Sequence, residues 1–409
     1  VYYADLWGQR KETKYPYLLE NDIETTKCQE LKPVAPYYFL VPKDFALQEV
    51  YEKFWKVTEI FKEWSSGVKT HRDQFVVGFT KEEVVRRLKT FIGSLPDELV
   101  EQALDLKDTG TWKLSEARQK VKKMNLEKEI YHYAYRPFDI RWICYEPSLI
   151  NRGRFKLMKH LLKDNLGLVF PRVVKEQFTH GIVISTIADV SLGGPHTGSE
   201  TNVAPLYHYV CKPKGQLFEE EAIELKRIPN FTDEFLQAIK ESLGTEPSPE
   251  EIFYYIYAVL YSPTYRQRYE EFLKIDFPRI PLPIDYEAFK ALSNLGKELV
   301  DLHLLKHPAL QETAIGFPEG GSNKVENVRY DEGGQRVYIN KAQCFEGISK
   351  EVWEYRIGAY QVMEKYLKDR KERKLSLDEV NHYMKVAKAI RLTIGLQGKV
   401  DEVYLKVAG

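Results

Sequence analysis

The spacing of apolar residues along this chain of 409 residues predicts both helices and strands. The clearest helical pattern begins at Phe253, after which apolar side chains recur three and four residues apart as far as Tyr261. The segment before it, Ser248-Pro249-Glu250-Glu251, has the order of a capping box with proline at the first helical position. Ser262-Pro263 should end this helix and begin a second, shorter one.

A proline-rich segment follows this pair of helices. Pro278, Pro281 and Pro283 lack the amide hydrogen that a helix or a central strand needs, so they predict an extended chain. Asp285 is placed to cap a further helix. Its apolar positions fall on one face: Phe289, Leu292, Leu299 and Leu302. Together these elements predict a helical hub on which other parts of the protein pack.

Strand patterns dominate the middle of the chain. Four runs rich in β-branched and aromatic residues are separated by short polar connections. The candidate strands are Tyr133–Tyr145, Gly167–Val174, Gly181–Val190 and Val203–Cys211. Amphipathic patterns predict helices elsewhere, over Phe45–Trp64, over Ser349–Arg370 and from a capping box that begins at Ser376.

These elements favour an α+β fold, in which a β-rich domain is combined with a helical domain and a small C-terminal α/β patch. Four parts are expected. They are a first segment with a connecting helix (1–66), the β-rich domain with a helical insert (67–215), the helical hub (216–312), and a small strand patch with closing helices (313–409).

Composition limits the classes of protein that need be considered. The chain is 43% hydrophobic and 13% aromatic, which is ample for a large core. It contains no run of about 18 apolar residues and no signal-peptide pattern, so neither a membrane span nor secretion is expected. The four cysteines lie far apart in the sequence and are interpreted as free thiols in a reducing compartment. A cytoplasmic protein is the expectation.

The overall charge is zero, but its distribution is uneven. Residues 131–215 hold 11 Lys or Arg and 6 Asp or Glu, whereas residues 216–275 hold 6 and 12. The β-rich segment is therefore the basic pole of the chain, and a polyanion such as nucleic acid would bind there. A solvated surface is the more ordinary explanation of an excess of this size, so charge by itself leaves both interpretations open.

Motifs for independent catalysis are missing from the sequence. His303 and His307 have a spacing that can hold zinc, but no glutamate follows His303 as a metalloprotease would require. There is no glycine-rich dinucleotide motif, no phosphate-loop lysine and no Gly-x-Ser-x-Gly elbow. No catalytic residue and no metal site are therefore predicted.

Several short segments resemble, in order and spacing, the C-terminal specificity region of type ISP single-chain restriction-modification enzymes. The resemblance extends over most of the chain. The segments that carry it are Tyr3-Ala4-Asp5-Leu6-Trp7-Gly8, Gly67-Val68-Lys69-Thr70, Arg136-Pro137-Phe138-Asp139, Tyr255-Ile256-Tyr257-Ala258-Val259-Leu260-Tyr261 and Val352-Trp353-Glu354-Tyr355-Arg356.

This resemblance implies a module that recognises a double-stranded DNA sequence and positions a target adenine for a methyltransferase domain. The first residues would be the tail of that domain, and the methyltransferase, nuclease and translocase domains of the same polypeptide would be the partners. The parent enzyme would require S-adenosylmethionine, ATP and Mg²⁺. This chain would bind none of them. It lacks the S-adenosylmethionine motif and the Asn-Pro-Pro-Tyr of an adenine methylase, and it contains no phosphate-loop lysine motif. A scaffold for neighbouring domains, or a DNA methyltransferase in its own right, are the alternatives.

Polar and basic residues on predicted loops are the candidates for DNA contact. Lysines there would mainly meet phosphates, while arginine and asparagine can also read base edges. The candidates are Lys69, His71, Arg72, Asn151, Arg152, Arg154, Lys156, Arg172, Lys175, His196 and Thr197. Arg136, Asp139 and Arg141 are expected instead to form an internal ion pair that supports the sheet.

Overall fold

The structure is a computed structural model that describes residues 1–35, 38–175, 177–179, 181–194, 200–212, 224–312 and 314–408. It has 42% helix and 19% strand in many small sheets, which confirms the α+β class. The chain divides into two compact units, Val1–Val50 and Tyr51–Gly409. The finer division into four parts stays a prediction.

The first unit contains little regular structure. Strand β1 (Tyr2–Tyr3) pairs antiparallel with β2 (Gln29–Glu30). A π-helical turn over Arg10–Lys14 leads into helix α1 (Tyr15–Glu20). Helix α2 (Gln48–Tyr51) spans the boundary in sequence between the two units.

The prediction of a single amphipathic helix over Phe45–Trp64 is wrong. That segment contains α2, strand β3 (Trp55–Lys56), helix α3 (Val57–Ile60) and, directly after it, strand β4 (Ser65–Ser66). The physical reason is a tertiary pairing, since Trp55–Lys56 forms an antiparallel ladder with the proline-rich strand Arg279–Ile280. The pairing satisfies backbone groups that a helix would otherwise use internally, so it overrides the helical periodicity.

The remaining elements of the second unit follow in chain order. The strands are β5 (Val77–Gly78), β6 (Ile130–Arg136), β7 (Asp139–Cys144), β8 (Gly167–Pro171), β9 (Ile182–Ile184), β10 (Ile187–Ala188), β11 (Thr201–Pro205), β12 (Tyr207–Lys212), β13 (Glu224–Pro229), β14 (Arg279–Ile280), β15 (Arg329–Asp331), β16 (Arg336–Tyr338), β17 (Cys344–Glu346), β18 (Arg356–Ile357) and β19 (Tyr360–Gln361).

The helices of this unit lie mainly before β6 and after β13. They are α4 (Asp73–Val76), α5 (Lys81–Ile92), α6 (Asp97–Leu104), α7 (Leu114–Val121), α8 (Phe155–Met158), α9 (Asp233–Leu243), α10 (Pro249–Tyr261), α11 (Pro263–Arg268), α12 (Glu270–Leu273), α13 (Tyr286–His303), α14 (Lys350–Glu354), α15 (Val362–Lys368) and α16 (Leu377–Ala408). Short 3₁₀ turns cover Leu126–Glu129, Lys159–Leu162 and Pro308–Leu310.

The β-rich segment forms two four-stranded sheets, with strand orders β10-β6-β7-β5 and β4-β11-β8-β9. The four predicted strand regions are confirmed, but three of them are each divided into two strands. Tyr133–Tyr145 contains the turn of a hairpin, because Pro137 cannot donate to a ladder and Phe138 adopts a positive φ of 60°. β12 and β13 form a separate two-stranded ribbon.

The helical hub has the structure that its local signals predict. Ser248 and Glu251 form the reciprocal capping box of α10, and the Asp285 carboxylate accepts a hydrogen bond of 2.6 Å from the Ala288 amide at the start of α13. Gly296 lets α13 approach α10, since a Cβ there would lie 1.9 Å from the Tyr254 carbonyl oxygen. The hub tyrosines are core residues, as expected: Tyr255, Tyr257, Tyr261, Tyr265 and Tyr269 are buried.

The C-terminal part combines the three-stranded sheet β15-β16-β17 with the last helices. The helix expected over Ser349–Arg370 is wrong as a single element. The hairpin β18-β19 divides it into α14 and α15, with Gly358 in its turn at a φ of +58°. The capping box of α16 is confirmed, since Ser376 and Glu379 exchange hydrogen bonds of 3.0 and 3.1 Å.

Buried ion pairs lie within the first sheet and between that sheet and the C-terminal helices. Arg136 pairs with Asp189 at 2.9 Å, and Asp139 accepts from both Arg141 (2.8 Å) and Arg370 (2.9 Å). The expectation that Arg136, Asp139 and Arg141 are internal is therefore confirmed. Among the described residues, no helix is long and apolar enough to cross a membrane.

Candidate nucleic-acid interface

Two loops that are distant in sequence lie side by side. The Lys69 amide donates to the Arg152 carbonyl oxygen at 3.0 Å, and the Arg152 amide donates to the Lys69 carbonyl oxygen at 2.9 Å. The Asn151 amide donates to the Thr70 carbonyl oxygen at 3.3 Å, which extends the pairing by one residue. The loop after β4 and the loop before α8 are therefore one structural unit, although about eighty residues separate them in the chain.

The Gly153-Arg154 turn within this unit is tightly packed. A Cβ at Gly153 would lie 2.0 Å from a ring carbon of Phe155, so any other residue there would require the Phe155 ring to move. The Tyr145 hydroxyl donates a hydrogen bond to the Gly153 carbonyl oxygen, and the Tyr145 and Phe155 rings are 4.4 Å apart. Arg154 has a φ of 54°, a left-handed conformation that is uncommon for a residue with a side chain. The surrounding packing thus holds the turn in one conformation.

An open groove of about 660 Å³ runs along this unit. We call it the basic groove, because four of its side chains are cationic and one is acidic. Its lining consists of Lys62, Glu63, Trp64, Ser65, Asn151, Arg152, Arg154, Phe155, Lys156 and Leu157. Lys156 is 85% exposed and lies 3.5 Å from the Glu63 carboxylate. The Arg154 Nε donates to the Ser66 hydroxyl at 2.9 Å.

The basic groove lies at the edge of the second sheet, because Ser65, one of its lining residues, belongs to the edge strand β4. Ser66 on β4 lies opposite Asn202 on β11, which in turn lies opposite Phe170 on β8. Residues that face each other on neighbouring strands share a face of the sheet, and so do residues two apart along an extended chain. The face shared by Ser66, Asn202 and Phe170 is mostly buried, since Asn202 is 9% and Phe170 0% exposed. Arg172 lies just beyond the end of β8, and its side chain is exposed.

An aromatic cluster supports this face. The Trp64 ring, which lines the groove, lies 6.3 Å from Phe170 and 5.1 Å from Phe277. The Arg172 guanidinium is 5.8 Å from the centroid of the Phe277 ring, and its Nε is 3.5 Å from an oxygen of Asp276. Contacts through these rings thus connect Arg172 to the wall of the groove.

Among the described residues, Asp276 is the acidic side chain that pairs with Arg172. Burial alone would raise its pKa, but a hydrogen bond from Lys56 at 2.9 Å and the charges of Lys56 and Arg172 lower the pKa below the usual range. Asp276 is therefore ionised near neutral pH and offsets part of the positive charge of Arg172.

Comparison with known proteins assigns the family. The sequence matches the Type ISP C-terminal specificity domain over residues 59–393, which is most of the chain. The chain belongs to this family. No curated protein matches the chain.

Solved structures similar to this specificity domain share its fold. The DrdV–DNA complex, determined by cryo-electron microscopy, has a TM-score of 0.73 and 21% identity, covering 94% of this chain and 42% of that one. A nuclease-deletion mutant of the Type ISP restriction-modification enzyme LlaGI, in complex with a DNA substrate mimic, has a TM-score of 0.66 and 17% identity, covering 92% and 31%. The ATP-dependent Type ISP enzyme LlaBIII bound to DNA has a TM-score of 0.66 and 21% identity, covering 86% and 24%. The specificity domain thus spans less than half of each of these chains.

The structure brings together many of the candidate residues of the specificity domain. Asn151, Arg152, Arg154 and Lys156 line the basic groove, and Lys69 is half-buried beside it through its pairing with Arg152. Arg172 follows β8 and contacts Phe277, which packs against Trp64 in the groove wall.

The other candidates are placed differently. Arg72 is only 5% exposed, its Nε donates to the Leu149 carbonyl oxygen at 3.1 Å, and its guanidinium lies over the Trp112 ring at 4.3 Å. Burial also lowers its pKa. Contrary to its expected place on an exposed face, Arg72 therefore supports the loop from inside. His71 and Lys175 are exposed, and neither is a lining residue of the groove. His196 and Thr197 lie outside the described residues.

Six lining residues of the basic groove were not among the candidates: Lys62, Glu63, Trp64, Ser65, Phe155 and Leu157. Ser66 and Asp276, which contact Arg154 and Arg172, were not candidates either. Trp64 was assigned to a helix, and the position of Ser66 depends on the pairing of its strand with β11. The sequence signal that could have found Trp64 is the aromatic side chain directly before the Ser65-Ser66-Gly67 turn. Among the described residues, no group of three or more His, Cys, Asp or Glu side chains could hold a metal ion.

Proposed function

We propose that this specificity domain binds double-stranded DNA along the basic groove, and so selects the sequence at which a target adenine is presented to a methyltransferase domain. The observation that carries the proposal is that Arg152, Arg154 and Lys156 line one groove. Arg172 lies near the same groove, because its guanidinium contacts Phe277, which packs against Trp64 in the groove wall. The related DrdV, LlaGI and LlaBIII structures were determined with DNA or a DNA mimic, which supports the same conclusion.

The number of cations predicts how strongly binding depends on salt. If Arg152, Arg154, Lys156 and Arg172 each neutralise one phosphate, the slope of log K against log salt is about −3.6. Between 50 and 200 mM salt, affinity for any duplex should then fall on the order of a hundredfold. The acidic neighbours Glu63 and Asp276 would make the real slope shallower than this limit.

Duplex binding measured by fluorescence anisotropy tests the proposal. Arg152→Ala and Lys156→Ala should each weaken binding and reduce the salt slope by about one. Lys341→Ala removes an exposed lysine outside the groove and is the matched control, for which no change is expected. Duplex affinity that does not depend on salt concentration, or an equal loss of affinity in all three variants, would contradict an interface centred on the groove.

We further propose that catalysis belongs to other domains of a longer polypeptide. A specificity domain is not itself catalytic, and S-adenosylmethionine, ATP and Mg²⁺ would serve the methyltransferase, nuclease and translocase of the parent enzyme in the cytoplasm. Transfer of labelled methyl groups from S-adenosylmethionine to duplex DNA should be absent with this chain alone. Clear transfer would instead support the alternative that the chain is a methyltransferase.

Contacts with those domains are proposed for the first unit. Its large apolar side chains are unusually exposed, with Trp7 at 79%, Leu19 at 87% and Ile23 at 82%. Exposed apolar side chains of this kind are typical of surfaces that pack against another protein domain.

A further inference from the structure

We propose that Arg154 reads a guanine base through the major groove by paired hydrogen bonds. This inference rests on the proposed function and adds to it the chemical identity of one base pair in the target. Guanine presents two acceptors, N7 and O6, in the major groove, and the planar fork of arginine matches them with two N–H donors. Three features of the structure favour Arg154 over the other cations of the basic groove.

The first feature is the fixed backbone of Arg154. Its φ of 54° is disfavoured for any residue with a Cβ, so neighbouring contacts must maintain it. Those contacts are the hydrogen bond from Tyr145 to the Gly153 carbonyl oxygen and the packing of Phe155 against Gly153. A glycine would adopt this conformation without strain, yet the chain has arginine there. The side chain is therefore presented from a rigid position.

The second feature is the hydrogen bond that orients the guanidinium. Arg154 Nε donates to Ser66 Oγ at 2.9 Å, and Ser66 lies on β4, whose ladder with β11 fixes its position. Because Nε is occupied, the two terminal nitrogens remain as the donors that can face a ligand. Within the described part of the chain, no carboxylate forms an ion pair with this guanidinium, although Arg154 lines the open groove.

The third feature is the contrast with neighbouring cations. Lys156 is 85% exposed and pairs loosely with Glu63, and an ammonium acts as a point charge suited to phosphate. Arg172 lies 3.5 Å from the Asp276 carboxylate, which offsets part of its positive charge. Arg152 lines the same groove, but no hydrogen bond orients its side chain in the described structure. An oriented fork costs less entropy on binding, so Arg154 is the cation best prepared to discriminate between bases.

The experiment first selects bound duplexes from a random pool with the 409-residue chain. Affinity is then measured for the selected duplex and for versions in which each guanine in turn is replaced by 7-deazaguanine, which lacks the N7 acceptor. At one position the parent protein should lose affinity on the order of tenfold. Arg154→Lys should be insensitive to that replacement while keeping its salt slope, because the charge is retained.

Two variants serve as comparisons. Arg152→Lys makes the same change in the same groove and should keep the response to 7-deazaguanine. Ser66→Ala removes only the anchor of Nε and should weaken the response without changing the salt slope, which identifies Ser66 as a positioning residue. Circular dichroism should show that all variants remain folded, since Arg152 and Arg154 are exposed.

The possible failures can be told apart. If the parent chain binds no duplex even at low salt, the proposed function fails and the inference fails with it. If the parent discriminates and Arg154→Lys shows the same response to 7-deazaguanine, DNA recognition stands and the role of Arg154 is refuted. If Arg152→Lys alone loses the response, Arg152 is the reading residue and the role of Arg154 is again refuted.

Discussion

The buried carboxylate of Asp139 holds the hairpin β6-β7 to the C-terminal helices. Asp139 is 2% exposed and accepts hydrogen bonds from Arg141 Nε (2.9 Å), Arg141 Nη2 (2.8 Å) and Arg370 Nη2 (2.9 Å). Arg370 follows α15, about 230 residues further along the chain. Replacing Asp139 by asparagine keeps the shape but removes the charge that both guanidiniums face.

The expected cost can be derived from the remaining contacts. Removing one partner of a buried ion pair destabilises a protein by about 3 to 5 kcal/mol. Arg141 would keep Asp369 at 3.0 Å, and Arg370 would keep Glu379 at 2.9 Å, so neither cation is left wholly unpaired. The lower end of the range therefore applies. Asp139→Asn should lower the free energy of unfolding by about 3 kcal/mol.

The loss should also depend on pH. Burial alone would raise the pKa of Asp139, but the charges of Arg370 and Arg141 and their hydrogen bonds hold it below the usual range. A carboxyl whose pKa is depressed by folding stabilises the protein above its ordinary pKa, and that contribution is lost as pH falls through the folded-state value. The difference between the parent and Asp139→Asn should therefore be full at pH 7 and shrink in strong acid.

Urea unfolding followed by circular dichroism measures this effect. Asp233→Asn is the matched control, because Asp233 pairs with Lys62 at 2.8 Å but is 84% exposed. An exposed pair contributes little, so the control should be indistinguishable from the parent. A cost below about 1 kcal/mol for Asp139→Asn would refute the reasoning that this carboxylate joins the two parts of the fold.

Three further predictions concern the groove and the hub. Arg154→Gly removes the strain of a left-handed backbone at a residue with a side chain, so it should raise the free energy of unfolding by about 0.5 to 1 kcal/mol. The same variant should bind duplex DNA more weakly. A lower free energy of unfolding in urea would contradict the strain argument. Asp276→Asn leaves Arg172 without its acidic neighbour and should tighten duplex binding several-fold in anisotropy at low salt; unchanged or weaker binding would place Arg172 outside the interface. Burial lowers the pKa of His303 to about 3 in the folded chain. Below about pH 6.5 this histidine is therefore protonated only in the unfolded chain, and the free energy of unfolding should fall by about 1.4 kcal/mol for each pH unit because of this residue. His303→Gln should reduce the pH dependence of the free energy of unfolding, measured in urea between pH 6 and pH 4. An unchanged pH dependence would contradict the assignment to His303.

The hub and the strands could be predicted from the sequence because their signals are local. Capping at Ser248, the prolines and the apolar face of α13 each lie within a few residues of the structure that they specify. The strand at Trp55 could not be predicted from the sequence, since it forms only by pairing with Arg279–Ile280, more than two hundred residues away. Long-range pairing overrides local periodicity, and the sequence alone does not say which distant segment is the partner.

The same distinction between local and long-range determinants applies to the candidate interface. Basic residues close in sequence, such as Arg152, Arg154 and Lys156, were predicted together and lie together. Arg72 has the same residue type and loop context, but its side chain turns inward onto Trp112. The direction of a side chain on a loop depends on contacts made by the folded chain. Composition could therefore indicate the basic pole but could not separate reading residues from supporting ones.

The positions of the acidic side chains in and near the groove bear on how such a module could be selective. Cations attract every duplex through its phosphates, so unbalanced charge strengthens binding to all sequences alike. Glu63 lies beside Lys156 and Asp276 beside Arg172, and each partly offsets the cation next to it. Arg154 is instead oriented by a neutral hydroxyl, which leaves its charge intact. Weakening the non-specific contacts while preserving an oriented fork increases the ratio of specific to non-specific binding, because specificity is a difference between two affinities.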